Sequence, residues 1–297
     1  MTSLYSQIDH NKRETWIILV LFVLIISGLV YLFSYILGGS DYAFFLFPLA
    51  FLFSVFSSVG SYYFSDKVVL AVSGAKKADG TEFTQYKNIV ENLSIVAGVP
   101  KPECFYIEDT APNAFATGRD PNHAVICVTT GLLQKLDRAE LEGVIAHEMA
   151  HIKNYDIRLM AVVAVLVGSI ALIADWMLRS SFRRGNDRRS GGGILILLAL
   201  IAALLTPIIA QLIKLAMSRN REFLADATGA YFTRYPKGLA DALIKISEDT
   251  EALEAANKGT AHMYIINPFK GRHAKGISGL FSTHPPMEER VKRLQSM

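Results

Sequence analysis

Two almost unbroken apolar runs open the chain, Trp16 to Leu37 and Tyr42 to Phe64, and neither carries a charge. At about 22 and 23 residues, each is long enough to cross a bilayer core of about 30 Å as a helix. A core helix of a soluble protein keeps a polar face over six turns, and these keep none. The pattern predicts two membrane-spanning helices. The first run is too long for a signal-peptide core, and no small-residue cleavage site precedes the second, so an uncleaved anchor is expected. Lys12 and Arg13 precede the first run, Lys67, Lys76 and Lys77 follow the second, and the connector Gly38-Gly39-Ser40-Asp41 has no basic residue. The positive-inside bias therefore places the N-terminus and everything after Phe64 in the cytoplasm.

Two further apolar stretches come later. Leu159 to Ala174 is followed by Asp175 and Trp176, and Ile194 to Met217 contains Pro207, Gln211 and Lys214. The connector between them holds Arg179, Arg183, Arg184, Arg188 and Arg189. That charge conflicts with a simple external loop. Length favours a spanning hairpin, and the arginines leave a re-entrant or surface-lying one open. In either arrangement its two ends emerge on the same side.

The polar remainder has ordinary globular patterning. Thr81 to Ala97 carries Phe83, Tyr86, Ile89, Val90, Leu93 and Val96 at helical spacing, and Gly98 and Pro100 end it. Strand-like runs follow at Glu103–Ile107, Ala114–Thr117 and Ala124–Thr129, separated by turn residues. Three strands flanked by helices suggest a small α+β core, mainly helical overall. The expected organisation is a cytoplasmic segment 1–15, a transmembrane hairpin 16–64, a first catalytic part 65–158, a hydrophobic hairpin 159–217 and a second catalytic part 218–297. The two polar parts form one domain that the second hairpin interrupts.

Composition sharpens this picture. Of 297 residues, 51% are hydrophobic and 19% charged, and mean hydropathy is +0.29. Disorder is excluded, and an ordinary soluble enzyme is disfavoured. A net charge of +3, from 30 basic and 27 acidic residues, is too balanced to imply nucleic acid. Cys104 and Cys127 cannot form a disulfide framework; they read as reduced core residues, and a single disulfide between them stays open without support.

The chemistry concentrates on one predicted helix. Asp137-Arg-Ala-Glu140 is a capping-box-like start. The helix continues to His147-Glu148-Met-Ala-His151, the pattern H-E-x-x-H. Histidines at i and i+4 share a helix face and can bind one zinc ion, while the glutamate between them is placed to take a proton from water. A catalytic zinc needs a third protein ligand. After the second hairpin, Glu222 and Asp226 again stand at i and i+4. One of these carboxylates can bind the metal, and the other can accept the outward N–H of a ligating histidine. His10, His123, His262 and His273 have no spaced partner and read as surface residues.

The order of two N-terminal spans, His147-Glu-Met-Ala-His151, a hydrophobic hairpin, Glu222-Phe-Leu-Ala-Asp226 and Ser282-Thr-His284-Pro285-Pro286-Met-Glu-Glu-Arg290 resembles the HtpX type of bacterial membrane metalloprotease, related to CAAX-processing and mitochondrial quality-control peptidases. The resemblance covers essentially the whole chain and includes Ser73-Gly74-Ala75. It implies a zincin-like (gluzincin) catalytic domain with an edge-bearing sheet. It also implies one Zn²⁺ on His147, His151 and Glu222, with Glu148 as catalytic base and Asp226 supporting a ligand. Asn113, Ala114 and Phe115 are similar to the edge strand that pairs with substrate in thermolysin-like peptidases, where an exposed edge holds a peptide extended. His284 is a candidate donor to the oxyanion, against the plainer reading of a helix boundary, and Arg290 is a lesser candidate for charge near the site.

The resemblance further implies a membrane-bound endopeptidase of the bacterial inner membrane, multi-pass with a cytoplasmic catalytic domain. Its substrates would be misfolded or damaged membrane proteins, in stress-related quality control. Two rivals stand beside it: a processing peptidase with few substrates, and a zinc-bound membrane scaffold or holdase without turnover. A zinc transporter fits poorly, because the apolar runs lack the ionisable residues of an ion path.

Overall fold

The computed structural model describes residues 4–183, 212, 218–256, 259–269 and 285–297. Both N-terminal apolar runs lie in one helical stretch, α1 (Leu4–Val72), broken at Gly39. Gly39 has φ +77°, a left-handed value that a side chain disfavours, so the expected four-residue connector reduces to one glycine. The arms run antiparallel. Trp16 stacks on Tyr62 at 5.6 Å, the Ser58 hydroxyl reaches the Leu19 carbonyl, and Ser27 meets Ser54 at 3.2 Å. Ile8–Leu32 and Gly39–Val72 are each long and apolar enough to cross a membrane. Phe44, Phe45 and Phe56 are exposed along them, as lipid-facing side chains would be. The second arm runs eight residues past Phe64, because nothing stops the helix before Ser73 and Gly74 (φ +64°).

Beyond the hairpin lies a four-stranded mixed sheet: β1 (Lys76–Lys77), β2 (Glu103–Ile107), β3 (Ala114–Gly118) and β4 (Ala124–Thr129). Their order is β1-β2-β4-β3, with β2 and β4 parallel and the other pairs antiparallel. β3 is thus an edge strand. The expected strands are present, and β1 is one that the pattern does not signal.

The helices are α2 (Thr84–Ala97), α3 (Thr130–Lys135), α4 (Arg138–Lys153), α5 (Asp156–Arg183), α6 (Arg219–Thr233), α7 (Pro236–Glu248) and α8 (Met287–Gln295). The pleat sends alternate side chains to opposite faces. Ile126 and Val128 join a core with α2, α4, α6 and α7. Val125, Cys127 and Phe115 join another with the first arm of α1 and with α5. Cys104 lies in the first core and Cys127 in the second, on opposite sheet faces, so they do not face one another. The first stretch of the second hairpin is helical as α5, whose Leu159, Val163 and Leu166 pack beside Ile18 and Phe22 of α1. Its second stretch, 194–217, lies outside the described residues apart from Leu212.

Candidate metal centre

α4 carries the histidines, and its start is built as the sequence predicts. The Asp137 carboxylate accepts the Glu140 N–H at 2.9 Å, and the Glu140 carboxylate accepts the Asp137 N–H at 2.8 Å. The rest of the helix is buried from Gly143 to Ile152. α6 lies against it, and the contact depends on glycine. A β-carbon at Gly229 would stand 2.9 Å from the His147 nitrogen. That closeness brings Glu222 and Asp226 to the histidines across seventy residues of sequence.

His147, His151 and Glu222 converge. The two Nε2 atoms are 3.2 Å apart. Glu222 turns Oε2 to His147 Nε2 at 3.9 Å and Oε1 to His151 Nε2 at 3.5 Å. A tetrahedral zinc with bonds of about 2.0–2.2 Å sets its ligand atoms about 3.3–3.6 Å apart. Two imidazoles and a carboxylate are a donor set that zinc takes, and all three side chains are buried.

Each imidazole is oriented from behind. His147 Nδ1 lies 2.9 Å from Asp226 Oδ1, and His151 Nδ1 lies 2.9 Å from Asp156 Oδ2. With both Nδ1–H groups donating to carboxylates, both Nε2 lone pairs face the centre. Arg290, fully buried, donates to Asp226 through Nε at 2.9 Å and Nη2 at 2.7 Å, and its Nη1 lies 3.6 Å from Glu222 Oε2. Burial works against charge on Asp226, yet the Arg290 guanidinium beside it holds the carboxyl at about 2.

Glu148 is buried between the ligands. Burial pushes its carboxyl up to about 7, with the His151 charge pulling the other way and Glu222 reinforcing the rise. The Ala116 N–H of β3 donates to it. A carboxyl with an affinity near neutrality can both take and return a proton. Burial lowers proton affinity at both histidines. His147 stays low, while the Asp156 and Glu222 carboxylates lift His151 well above the ordinary imidazole value.

Ala114 and Phe115 open β3 and Asn113 immediately precedes it, all three buried. Ala114 turns its carbonyl to the outer edge, where it accepts the Ile265 N–H at 2.9 Å, and the Asn113 amide donates to the Ile266 carbonyl at 3.1 Å. Residues 265–266 therefore lie where a paired peptide would lie. His284 lies outside the described residues. Sequence reasoning missed Asp156, which stands five places after His151, a spacing that does not share a helix face with it.

Buried H-E-x-x-H on a helix, a carboxylate from a following helix and a membrane hairpin define a membrane metalloprotease. The model of peptidase family M48 matches residues 81–297. The chain is 47% identical over 294 residues to a "Protease HtpX homolog" of Dictyoglomus thermophilum, covering 99% of this chain and 94% of that one. It is also 47% identical over 302 residues to one of Caldanaerobacter subterraneus subsp. tengcongensis (99% and 98%), and 46% over 295 residues to one of Tropheryma whipplei (99% and 98%). The crystal structure of S. mikatae Ste24p superposes with a TM-score of 0.49 at 19% identity, over 95% of this chain and 66% of that one. The chain belongs to peptidase family M48 and is of the HtpX type.

Proposed function

We propose that this metalloprotease holds one Zn²⁺ per chain and acts as an endopeptidase at the cytoplasmic face of the bacterial inner membrane. Its substrates on this reading are misfolded or damaged membrane proteins, cleaved in stress-related quality control. The observation that carries the reading is the placement of the His147–His151–Glu222 cluster. The helix holding both histidines leads into α5, which packs beside the first arm of a hairpin long enough to span a bilayer. Loops of other membrane proteins on that side would pass close by. The basic flanks Lys12, Arg13, Lys67, Lys76 and Lys77 support the cytoplasmic side.

Zinc, when bound, supplies a Lewis acid that polarises water and the scissile carbonyl. Glu148 takes the proton from the attacking water and returns it to the departing amine nitrogen. Asp226 and Asp156 hold the imidazoles through Nδ1, and Arg290 holds Asp226. Asn113, Ala114 and Phe115 are the proposed substrate edge, where an incoming strand would take the Ala114 carbonyl that Ile265 now occupies. His284 is the proposed donor to the oxyanion.

Metal analysis paired with casein cleavage, on wild type and Glu148→Gln, tests this. The variant is expected to keep one zinc per chain and lose about 10²–10⁴ in turnover. Full turnover in the variant, or a wild type that takes up no metal, would refute the reading. Mapping cleavage sites across total membranes tests the substrate class, and broad cleavage of cytoplasmic loops in unfolded proteins is expected.

A further inference from the structure

The first membrane helix touches the metal centre through a side chain that the mechanism does not use. Asn11 lies one turn before the apolar run and is 1% exposed. Its amide nitrogen donates to Asp156 Oδ1 at 2.6 Å and to the Asn154 carbonyl at 2.9 Å. Both partners are acceptors, so the bonding fixes which end of the amide faces them. The other Asp156 oxygen holds His151 Nδ1 at 2.9 Å. A continuous line therefore runs from α1 to a metal ligand: Asn11, Asp156, His151.

The corner that makes this line is built for it. Asn154 caps the end of α4, and Tyr155 has φ +62°, a left-handed value uncommon for a residue with a side chain. That turn swings Asp156 back beneath the helix it has just left. Lys12 Nζ sits over the Tyr155 ring at 4.4 Å. Three residues beyond Asn11, Glu14 pairs with Arg221, the residue before Glu222. The same helix end thus grips both sequence halves of the centre. Arg221 Nε also lies 3.8 Å from Asp156 Oδ1, so a cation balances the carboxylate's charge while the shorter bond from the neutral Asn11 amide fixes its direction.

We infer that Asn11 is a positioning residue for the metal centre: through Asp156 it sets the orientation of the His151 imidazole, which makes the first membrane helix part of the metal-binding apparatus. This rests on the proposed zinc site.

The test uses the full chain in detergent or vesicles, loaded with zinc or cobalt. Two variants remove the bond: Asn11→Ala, and Asn11→Asp, which keeps the shape and replaces the donors with acceptors. Thr15→Ala is the control. Thr15 is as buried on the same helix, but its hydroxyl donates only to the Asn11 carbonyl at 2.9 Å and does not reach Asp156. Both Asn11 variants are expected to lose metal to a chelator faster than wild type, by up to about the 10–100-fold that a direct partner of a ligating histidine such as Asp156 would cost. Their cobalt absorption bands are expected to shift, while Thr15→Ala keeps the wild-type spectrum and rate. Wild-type spectra and rates in either folded Asn11 variant would overturn the inference, as would an equal change in Thr15→Ala. A wild type that binds no metal would instead overturn the proposed function beneath it.

Discussion

Arg290 is a cation with no exposed surface, surrounded by the Asp226 and Glu222 carboxylates and the Ile265 carbonyl. Deleting it strands Asp226 as a buried anion. Arg290→Leu is expected to cost about 3–5 kcal/mol, read from denaturation in detergent, and Arg290→Leu combined with Asp226→Leu to recover part of that. A single variant within about 1 kcal/mol of wild type would show the pair to be incidental. The sequence reveals these residues unevenly. His147, Glu148 and His151 are legible because one helical turn relates them and nothing else is needed. Glu222 and Asp226 announce a helix face, yet which of them binds metal follows only from the family's pattern or from seeing Arg290 on Asp226. Asp156 escaped because its route to His151 passes through the left-handed turn at Tyr155, which no periodicity describes.

At the scale of elements, the centre depends on how closely two helices approach. Gly229→Ala adds a β-carbon against the His147 backbone, where no flexible side-chain end can yield. The helices must part, with an expected cost of about 1–3 kcal/mol and faster loss of metal to a chelator. Unchanged retention would mean that the contact has slack. The edge of β3 gives a second prediction. If substrate pairs there, a bound non-cleavable peptide analogue must displace the Ile265 N–H from the Ala114 carbonyl. Hydrogen exchange at Ile265 is then expected to accelerate when the analogue binds, and unaltered protection would place the substrate elsewhere. The strands themselves were legible from alternation and turn residues. The contact from residues 265–266 was not, since those residues lie some 150 positions from β3 and carry no signal of their own.

Over the whole molecule, composition alone separates the hairpin from the globular part, and the structure adds how they join. α1 and α5 share a buried seam, so one apolar cluster extends from the hairpin to the underside of the sheet. That junction was not legible, because a uniformly apolar helix gives no hint of which face it packs. The join has a practical consequence. α4 and α6 meet through their own buried surfaces. A protease site engineered near residue 189 and then cut should yield two fragments that part on a denaturing gel yet migrate together on a native one. Co-expression of the two fragments as separate genes should likewise reconstitute a working enzyme.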